Sequence, residues 1–242
     1  MNAWIAQTLS RMHLSEDAEG YLLGRGIREG RISDLGVVVW DPAYASEDPP
    51  DSKFKTDVGH RGVNATGMLA FPVRAPHGDI VGIEFRAWRG VKRIIQYIAP
   101  GAAYTPRFAG MSLGVMQRIW DGCDVWLTEG IFDAAAIDHI IPPKDVALAT
   151  FRARVSQSHA NFLSRCCIGT VHMVFDLDKT GRDMTFGYTD AATKKRVWGA
   201  LDTLRRVGVS CRDVPYAGGK DPGEIWDRGG VYALRQAFNM KE

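Results

Sequence analysis

Short apolar runs alternate with amphipathic stretches through the second half of the chain. The apolar runs predict three strands at residues 125–128, 146–150 and 171–175, and a weaker run predicts a fourth at residues 209–214. The segments between them have helix-like spacing, and they predict helices at residues 131–141, 156–166 and 189–207. Because strands and helices alternate, the pattern is typical of βαβ units and a mostly parallel four-stranded sheet.

The first half of the chain is less regular. Residues 1–35 show helix-like spacing of apolar positions, while the polar, proline-containing segment at residues 41–66 predicts an excursion or a flexible loop. Two apolar runs at residues 68–73 and 80–85 flank the turn sequence Pro76-His77-Gly78-Asp79, which predicts a β-hairpin. Residues 94–98 predict a further strand.

These patterns together predict the domain organisation. We expect a mixed α+β subdomain at residues 1–115 and an α/β domain with a mostly parallel four-stranded sheet at residues 116–225. A short helical segment is expected at residues 226–242.

The composition is that of a soluble globular protein: of 242 residues, 45% are hydrophobic and 24% are charged. The apolar runs are far shorter than the roughly 20 residues that a membrane-spanning helix needs. The N-terminus lacks the layout of a signal peptide, so we expect a cytoplasmic protein with no membrane partner. The cysteines, which are Cys123, Cys166, Cys167 and Cys211, form no C-x-x-C pair, so no structural zinc is expected.

The net charge is only +2, but its distribution along the chain is uneven. Residues 85–120 contain no acidic side chain, and their cations are Arg86, Arg89, Lys92, Arg93, Arg107 and Arg118. Aromatic residues are interleaved with these cations at Trp88, Tyr97, Tyr104 and Phe108. Cations that follow phosphates and rings that stack on bases are typical of a surface for single-stranded nucleic acid or nucleotides. A solvated basic face over an ordinary aromatic core explains this stretch equally well.

Acidic residues follow three of the predicted strands. Glu129 comes directly after the first strand, and Asp133 lies one helical turn later. Asp176 and Asp178 close the third strand, and Asp221 follows the fourth. In an open parallel sheet, ligands bind beyond the carboxyl ends of the strands. The five carboxylates are therefore expected to meet in one crevice.

Carboxylates that converge in a crevice repel one another, and a divalent cation relieves that cost. Hard oxygen ligands favour Mg²⁺ or Mn²⁺, and such ions activate an attacking oxygen and neutralise charge on a phosphate during its transfer. We therefore predict metal ligands at Glu129, Asp133, Asp176, Asp178 and Asp221. Glu129 is alternatively a general base. The simpler interpretation of an acid such as Asp178 or Asp221, taken singly, is a solvated loop residue.

The order and spacing of these residues resemble the TOPRIM domain. The resemblance rests on residues 125–133, on Phe175-Asp176-Leu177-Asp178 with Gly181, and on Lys220-Asp221-Pro222. That domain is shared by DnaG-type primases, topoisomerases and some nucleases. The resemblance implies metal-dependent phosphodiester chemistry at the acidic residues.

The first half is similar to the basic subdomain of a DnaG-type primase core. The similarity rests on residues 19–27, 69–74 and 78–86, on Gln96-Tyr97-Ile98-Ala99-Pro100 and on Phe108-Ala109-Gly110. It implies that cations here hold template or nucleotide phosphates, and that Arg86 acts in catalysis together with Glu129, Asp176 and Asp178. The residues so assigned to nucleic-acid or nucleotide binding are Arg74, Arg86, Arg89, Lys92, Arg93, Tyr97 and Arg107.

The sequence departs from the family pattern in several places. Gln96 and Ala109 stand where such primases usually carry lysine, and Gly223 replaces the second acid of the last motif, next to Glu224. The sequence shows no zinc-binding template-recognition module and no phosphate-loop motif. Compactness of this kind is typical of a phage or mobile-element enzyme.

The leading hypothesis is a primase core that joins NTPs into short RNA primers on a single-stranded DNA template. A separate zinc-binding protein or a replicative helicase would then supply template recognition. A TOPRIM nuclease would use the same metal site to cleave DNA. A non-catalytic nucleic-acid-binding module is the third hypothesis, and Gln96 and Ala109 are the residues that favour it.

Overall fold

The computed structural model describes residues 2–45, 47–102, 105–151, 154–166 and 168–240. Tyr104 and Cys167, which entered the sequence-based predictions, lie outside the described residues. The chain divides into two units, of which the first is Met1–Gly24 with Arg28–Thr105 and the second is Arg25–Ile27 with Pro106–Glu242. The domain boundaries drawn from the sequence at residues 115 and 225 stay predictions.

Four short helices and an antiparallel sheet form most of the first unit. The helices are α1 (Asn2–Leu9), α2 (Glu16–Gly24), α3 (Glu29–Leu35) and α4 (Ser52–Asp57). The strands are β1 (Val38–Val39), β2 (Leu69–Arg74), β3 (Ile80–Arg86) and β4 (Ile94–Ile98), and they pair in that order with antiparallel neighbours. The predicted helices of residues 1–35, the hairpin and the additional strand are thus confirmed.

Residues 41–66, predicted as an excursion or a flexible loop, form an excursion between β1 and β2 that contains helical structure, so the flexible-loop alternative is wrong. This segment contains α4 and the 3₁₀ turns Pro42–Tyr44 and His60–Ala65. The Phe54 side chain is fully buried, and the Phe54 ring lies 4.9 Å from that of Tyr97. Gly62 lies against the Trp40 indole, whose N–H donates to the Gly62 carbonyl at 3.1 Å. A few buried contacts therefore order a segment whose average composition is polar.

The second unit contains a four-stranded parallel sheet with helices before, between and after its strands. Its strands are β5 (Val125–Thr128), β6 (Val146–Ala149), β7 (Val171–Val174), the short pair β8 (Tyr188–Thr189) and β9 (Arg196–Val197), and β10 (Cys211–Asp213). Its helices are α5 (Leu113–Trp120), α6 (Ile131–Ile137), α7 (Gln157–Leu163), α8 (Lys179–Phe186), α9 (Ala200–Arg205) and α10 (Pro222–Ala237). The sheet order is β10-β7-β5-β6, and every pairing is parallel, which confirms the predicted fold class.

One face of the parallel sheet carries the main core of the second unit. Val125, Leu127, Val171 and Met173 project from alternate positions of β5 and β7, and side chains of α5, α7 and α9 pack on them. Helix α6 packs against β5 and β6, and α10 packs against α6. The strands are short and buried along their length, so that their carboxyl ends are fixed in position.

The helix predicted at residues 189–207 is wrong over its first half. The structure places the β8–β9 hairpin there, and α9 begins only at Ala200. Gly187 and Gly199 lie at the base of the hairpin, where a Cβ on Gly199 would meet the Gly187 nitrogen at 2.3 Å. The helical spacing of apolar residues in this segment gave no indication of the hairpin, because the hairpin depends on the close approach of Gly187 and Gly199. Helices α5 and α8 were also not predicted, and α10 begins at Pro222 rather than at residue 226.

No helix among the described residues is both long and apolar enough to cross a bilayer.

His159 joins α7 to the segment before α5. Its Nδ1 accepts from the backbone N–H of Ser156 at 3.1 Å, and its Nε2 donates to the Arg107 carbonyl at 2.8 Å. This pattern requires the neutral ring with its proton on Nε2. Burial lowers the pKa of His159 to about 4, although the hydrogen bond to Arg107 acts in the opposite direction.

We expect this histidine to make folding stability depend on pH. Because the folded pKa lies below the ordinary value of 6.5, the unfolded chain binds the extra proton first, and stability falls as the pH drops from about 6.5 toward 4. Between about pH 7 and pH 5 the free energy of unfolding should fall by about 2 kcal/mol from this group. Urea denaturation across that range should show a smaller pH dependence for His159→Gln than for the wild type. Equal pH dependence in both proteins would contradict the prediction.

Candidate active site

Three carboxylates lie at the carboxyl ends of β5 and β7, and we call Glu129, Asp176 and Asp178 the acidic edge. Glu129 follows β5 directly, and its Oε1 accepts the backbone N–H of Asp176 at 3.1 Å. Asp176 and Asp178 follow β7 at alternate positions. The parallel register of β5 and β7 thus brings together side chains that are far apart in the sequence.

Helix α8 begins at the acidic edge. Asp178 is its N-cap residue, and Asp178 Oδ1 accepts the backbone N–H of Gly181 at 2.9 Å. A Cβ on Gly181 would lie 2.1 Å from the Asp176 carbonyl oxygen and 2.9 Å from Glu129 Oε1. Gly181 lies inside α8, and glycine is needed there because the end of β7 and Glu129 approach the helix so closely.

A lysine that the sequence analysis did not assign completes this cluster. Lys220 Nζ lies 3.1 Å from Asp176 Oδ2 and 3.1 Å from Asp178 Oδ2. The hydrogen bonds to Asp178 and to Asp176 raise the pKa of Lys220 above its ordinary range. The only sequence signal for this role is that Lys220 directly precedes Asp221, which follows the fourth predicted strand.

The carboxylates of the acidic edge have different proton affinities. Burial, with repulsion from Asp176, raises the pKa of Glu129 to about 7. Burial also raises the pKa of Asp176, against the hydrogen bond from Lys220. The pKa of Asp178 is lowered, first by the Gly181 N–H and then by Lys220. The edge therefore concentrates negative charge that is only partly compensated by the protein.

Asp133 and Asp221 have capping roles beside the acidic edge. Asp133 Oδ2 accepts the Gly130 N–H at 3.1 Å, and its Oδ1 accepts the Gly223 N–H at 3.0 Å. Asp221 is the N-cap of α10, and its Oδ1 accepts the Glu224 N–H at 2.7 Å. The assignments of Asp133 and Asp221 as metal ligands stay predictions. In the structure both Asp133 oxygens and Asp221 Oδ1 accept backbone N–H groups.

The glycine that replaces an acid in the last motif has a physical reason. A Cβ on Gly223 would lie 3.0 Å from Asp133 Oδ1, so the position leaves little room for a side chain. The neighbouring Glu224 accepts the Lys220 N–H at 2.7 Å and pairs with Arg228, so it joins the residue before the N-cap to the first turns of α10. Glu224 therefore stabilises the helix start that carries Asp221.

Tyr216 supports the loop that carries Lys220. The buried Tyr216 hydroxyl lies 3.1 Å from the Phe175 carbonyl and 2.9 Å from the Lys220 carbonyl, and it donates toward both. Burial first, and then nearby carboxylates, raise the pKa of this hydroxyl, so it stays protonated. The sequence analysis missed Tyr216 because the two carbonyls it joins lie on different segments.

Arg25 also belongs to the second unit. Its guanidinium lies 4.5 Å from the centre of the Phe132 ring on α6, and it pairs with Asp227 on α10 at 3.3 Å. His139 donates to the Gly26 carbonyl at 2.8 Å and stacks on Trp226. The segment Arg25–Ile27 is thus held by α6 and α10, a contact that no local sequence pattern indicates.

The donor set at the acidic edge fits a divalent cation chemically. Every side-chain donor is a carboxylate oxygen, and the Lys220 ammonium already lies between Asp176 and Asp178 as a cation would. Within the described ranges, no group of three His, Cys, Asp or Glu side chains is arranged to hold a metal ion. Glu129, Asp176 and Asp178 are the residues that would hold Mg²⁺ or Mn²⁺, with rearrangement of their side chains.

The predicted basic residues of the first unit have diverse roles. On β3, Arg86 Nε donates to Glu84 at 2.5 Å, and the Gln96 amide of β4 donates to the other Glu84 oxygen at 3.3 Å. Glu84 is only 2% exposed, so these partners compensate its buried charge. Gln96, which departs from the family pattern, therefore acts as a hydrogen-bond donor to the carboxylate that holds Arg86.

The remaining cations of the first unit differ in their burial and in the groups that they contact. Arg74 is half-buried and donates to the Gly78 carbonyl at 3.2 Å. Arg89 pairs with Asp17 at 2.6 Å, and its guanidinium lies over the Trp88 ring. Lys92 and Arg93 are exposed. Their assignment to phosphate binding stays a prediction.

Two further assignments concern Tyr97 and Arg107. Tyr97 is 0% exposed, and its hydroxyl donates to Asp51, so no ring face is open to a base. The prediction that Tyr97 stacks on nucleic acid is therefore wrong: the ring is part of the core. Arg107 belongs to the second unit, where its backbone binds His159. Ala109, the other departure from the family, is buried and pairs through its backbone with Ala149.

No family model matches the sequence, and no curated protein matches it. Solved structures do match. The Aquifex aeolicus primase fragment with zinc-binding and RNA polymerase domains superposes with a TM-score of 0.68 at 19% identity, covering 98% of this chain and 60% of that one. The chain described here has the fold of a DnaG-type primase catalytic core.

Other solved structures of DnaG-type primase cores are also similar to this chain. The RNA polymerase domain of Mycobacterium tuberculosis primase DnaG gives a TM-score of 0.66 at 18% identity, covering 98% of this chain and 82% of that one. A DnaG primase catalytic domain bound to ssDNA gives 0.67 at 17% identity, covering 98% and 77% respectively. The resemblance to the DnaG-type primase core is confirmed at the level of fold. The chain spans 60% of the Aquifex fragment.

Proposed function

We propose that this chain is a primase core that joins ribonucleotides on single-stranded DNA by metal-dependent nucleotidyl transfer. The observation that carries the proposal is the acidic edge at the carboxyl ends of β5 and β7, in a fold similar to that of DnaG primase catalytic domains. The reaction forms a bond between a primer 3′-oxygen and the α-phosphorus of an NTP, and it releases pyrophosphate. This reaction requires positive groups that neutralise the negative charge on the phosphate that is transferred.

The acidic edge would supply the metal-binding part of this chemistry. A Mg²⁺ or Mn²⁺ ion bound there would activate the attacking hydroxyl and neutralise phosphate charge. Glu129, Asp176 and Asp178 would hold it, and Glu129 also accepts the Asp176 N–H at the end of β7. Lys220 favours the ionised form of both aspartates, although burial raises the pKa of Asp176, and it would offer a positive charge to an incoming triphosphate.

Cations of the first unit would hold template and nucleotide phosphates. Glu84 holds Arg86 in a fixed orientation, which favours a contact with one defined phosphate. Lys92 and Arg93 are exposed and suit contacts with backbone phosphates that do not depend on the base sequence. The proposed partners are single-stranded DNA, NTPs, and either a separate zinc-binding protein or a replicative helicase. A cytoplasmic location belongs to the same proposal.

Primer synthesis on a panel of templates tests the proposal directly. The protein, single-stranded DNA, Mg²⁺ or Mn²⁺ and labelled NTPs should yield short RNA that depends on both template and metal. Absence of RNA with every template would contradict the proposal. Loss of the DNA itself, without added NTPs, would indicate a nuclease instead.

A binding module without catalysis is the second candidate function. It is favoured by the Lys220 ammonium, which already pairs with Asp176 and Asp178, and by the absence of a ready metal-binding group among the described residues. Binding of single-stranded DNA with neither synthesis nor cleavage, unchanged in Asp176→Asn, would support this candidate.

A further inference from the structure

The β8–β9 hairpin projects from the second unit between α8 and α9. We define the hairpin surface as the exposed lysines at its turn, the aromatic residue after it and the arginine at the end of α9 that lies against that ring: Lys194, Lys195, Trp198 and Arg206. The hairpin leaves from the end of α8 opposite to Asp178, which is about 12 Å along a helix of 8 residues. The hairpin surface is therefore a different part of the molecule from the acidic edge.

The tip of the hairpin is ordered by one carboxylate. Asp190 Oδ1 accepts the backbone N–H groups of Ala192 at 3.1 Å and Thr193 at 2.7 Å, and the Thr193 hydroxyl at 2.8 Å. The Asp190 backbone pairs with Lys194 and Lys195 across the turn, at 2.9 Å in each case. This acid is therefore used to shape the turn, and the two lysines that follow are presented on a defined backbone.

The base of the hairpin is equally well fixed. The chain enters the hairpin at Gly187 and leaves it at Gly199. Because neither residue has a side chain, the two backbone segments approach each other closely. Arg196 donates to the Phe186 carbonyl at 2.6 Å and pairs with Asp202 at 3.4 Å. The hairpin is thus anchored at both ends, so binding to it would cost little ordering entropy.

Near this hairpin, an arginine guanidinium lies against each of two aromatic rings. The Arg206 guanidinium lies 4.5 Å from the centre of the Trp198 ring, and Trp198 is 55% exposed. The Arg182 guanidinium lies 4.4 Å from the Phe186 ring, which is 38% exposed. Exposed rings with cations beside them suit ligands that have flat bases and anionic phosphates.

The charges around the hairpin are unbalanced. The two acids at residues 190–206 are already engaged, Asp190 with the turn and Asp202 with Arg196 and the Gly199 N–H. Lys194 and Lys195 are exposed, and no ion pair of theirs occurs within the described part of the chain. The hairpin surface therefore presents uncompensated positive charge, which is complementary to a phosphate backbone.

From these observations we propose that the hairpin surface binds single-stranded DNA, with phosphates on Lys194 and Lys195 and a base on Trp198. The exposed indole favours a single strand over a duplex, because bases in a duplex are stacked on one another and cannot cover the ring. The proposal adds a binding site that does not depend on catalysis at the acidic edge. It holds whether or not the chain makes primers.

Fluorescence anisotropy of a labelled oligothymidylate across a salt series tests this proposal. Each phosphate contact on a single strand contributes about 0.7 to the slope of log affinity against log salt, so Lys194→Ala/Lys195→Ala should lower the slope by about 1.4. Trp198→Ala should weaken binding by about tenfold, since stacking on one base is typically worth that much, and Trp198→Phe should retain most of the affinity.

Matched variants on the same unit serve as controls. Lys144→Ala/Arg165→Ala removes two exposed cations elsewhere, and Trp120→Ala removes a 60% exposed indole on α5. Both controls should bind like the wild type, and circular dichroism should confirm that all variants are folded. Photocrosslinking from thiothymidine in the oligonucleotide should label a peptide that contains the hairpin.

Three results would overturn the proposal. Hairpin variants could bind with the affinity and salt slope of the wild type. They could lose affinity only for a duplex and not for the single strand. The crosslink could fall entirely outside the hairpin. None of these measurements uses primer synthesis, so a failure of the proposed activity would not be confused with a failure of this binding site.

Discussion

Replacing Asp176 by Asn is expected to lower primer synthesis by at least about a thousandfold, since metal-held charge stabilisation is worth several kcal/mol and each 1.36 kcal/mol is tenfold in rate. The amide keeps the shape of the side chain but removes the negative charge that pairs with Lys220 and would hold the metal. The same change should leave stability nearly unchanged or raise it, because burial already disfavours the ionised form of Asp176.

The measurement is the initial rate of RNA synthesis on single-stranded DNA, with the melting temperature recorded for each protein. Asp121→Asn is the matched control, since Asp121 is an exposed acid at the end of α5 that precedes the amino end of β5, whereas the acidic edge lies at the carboxyl end of that strand. The control should synthesise RNA at the wild-type rate. A rate for Asp176→Asn within tenfold of the wild type would contradict the assignment of this carboxylate.

Gly181→Ala is expected to reduce both stability and synthesis. The added Cβ would lie 2.1 Å from the Asp176 carbonyl oxygen, so either the start of α8 or the end of β7 must move. Overpacking of this kind costs about 1 to 3 kcal/mol in the free energy of unfolding. A displacement of about 1 Å at the acidic edge should lower synthesis by about a hundredfold.

Gly114→Ala is the matched control for this change. Gly114 lies in α5, and only the Ser112 hydroxyl comes near a Cβ placed there, at 4.0 Å. Alanine at Gly114 should therefore stabilise the helix by up to about 1 kcal/mol and leave synthesis unaffected. Urea denaturation and the same synthesis assay serve both variants. If the two alanine variants have the same stability and the same rate of synthesis, the close approach at Gly181 does not constrain the acidic edge as proposed.

The acidic edge shows how far sequence reasoning reaches for a site. Apolar runs placed Glu129 and Asp176 after strands, and alternation of strands with helices predicted that those strands are parallel. The structure places the Glu129 carboxylate 3.1 Å from the Asp176 backbone N–H, at adjacent strand ends. The metal-binding roles of these residues stay predictions. Lys220 was not predicted because its two partners are reached only through the folded sheet.

Aromatic residues show the limit of composition. Trp88 and Tyr97 both lie in the acid-free stretch, yet the structure leaves Trp88 beside Arg89 and buries Tyr97 in the core. Interleaved aromatics and cations were compatible with a nucleic-acid surface or with an ordinary core. Only the packing of β4 against α4 decides that Tyr97 belongs to the core.

The sequence by itself predicted the four parallel strands of the second unit, the helices α6 and α7 between them and the first-unit hairpin, because these features follow from residues that are near neighbours in the chain. Tertiary structure alone decided the burial of Phe54, the β8–β9 hairpin, the bridge from Lys220 to two aspartates, and the need for glycine at position 181. The physical reason is that each of these depends on the close approach of segments that are separate in the sequence, and local periodicity carries no information about such distances.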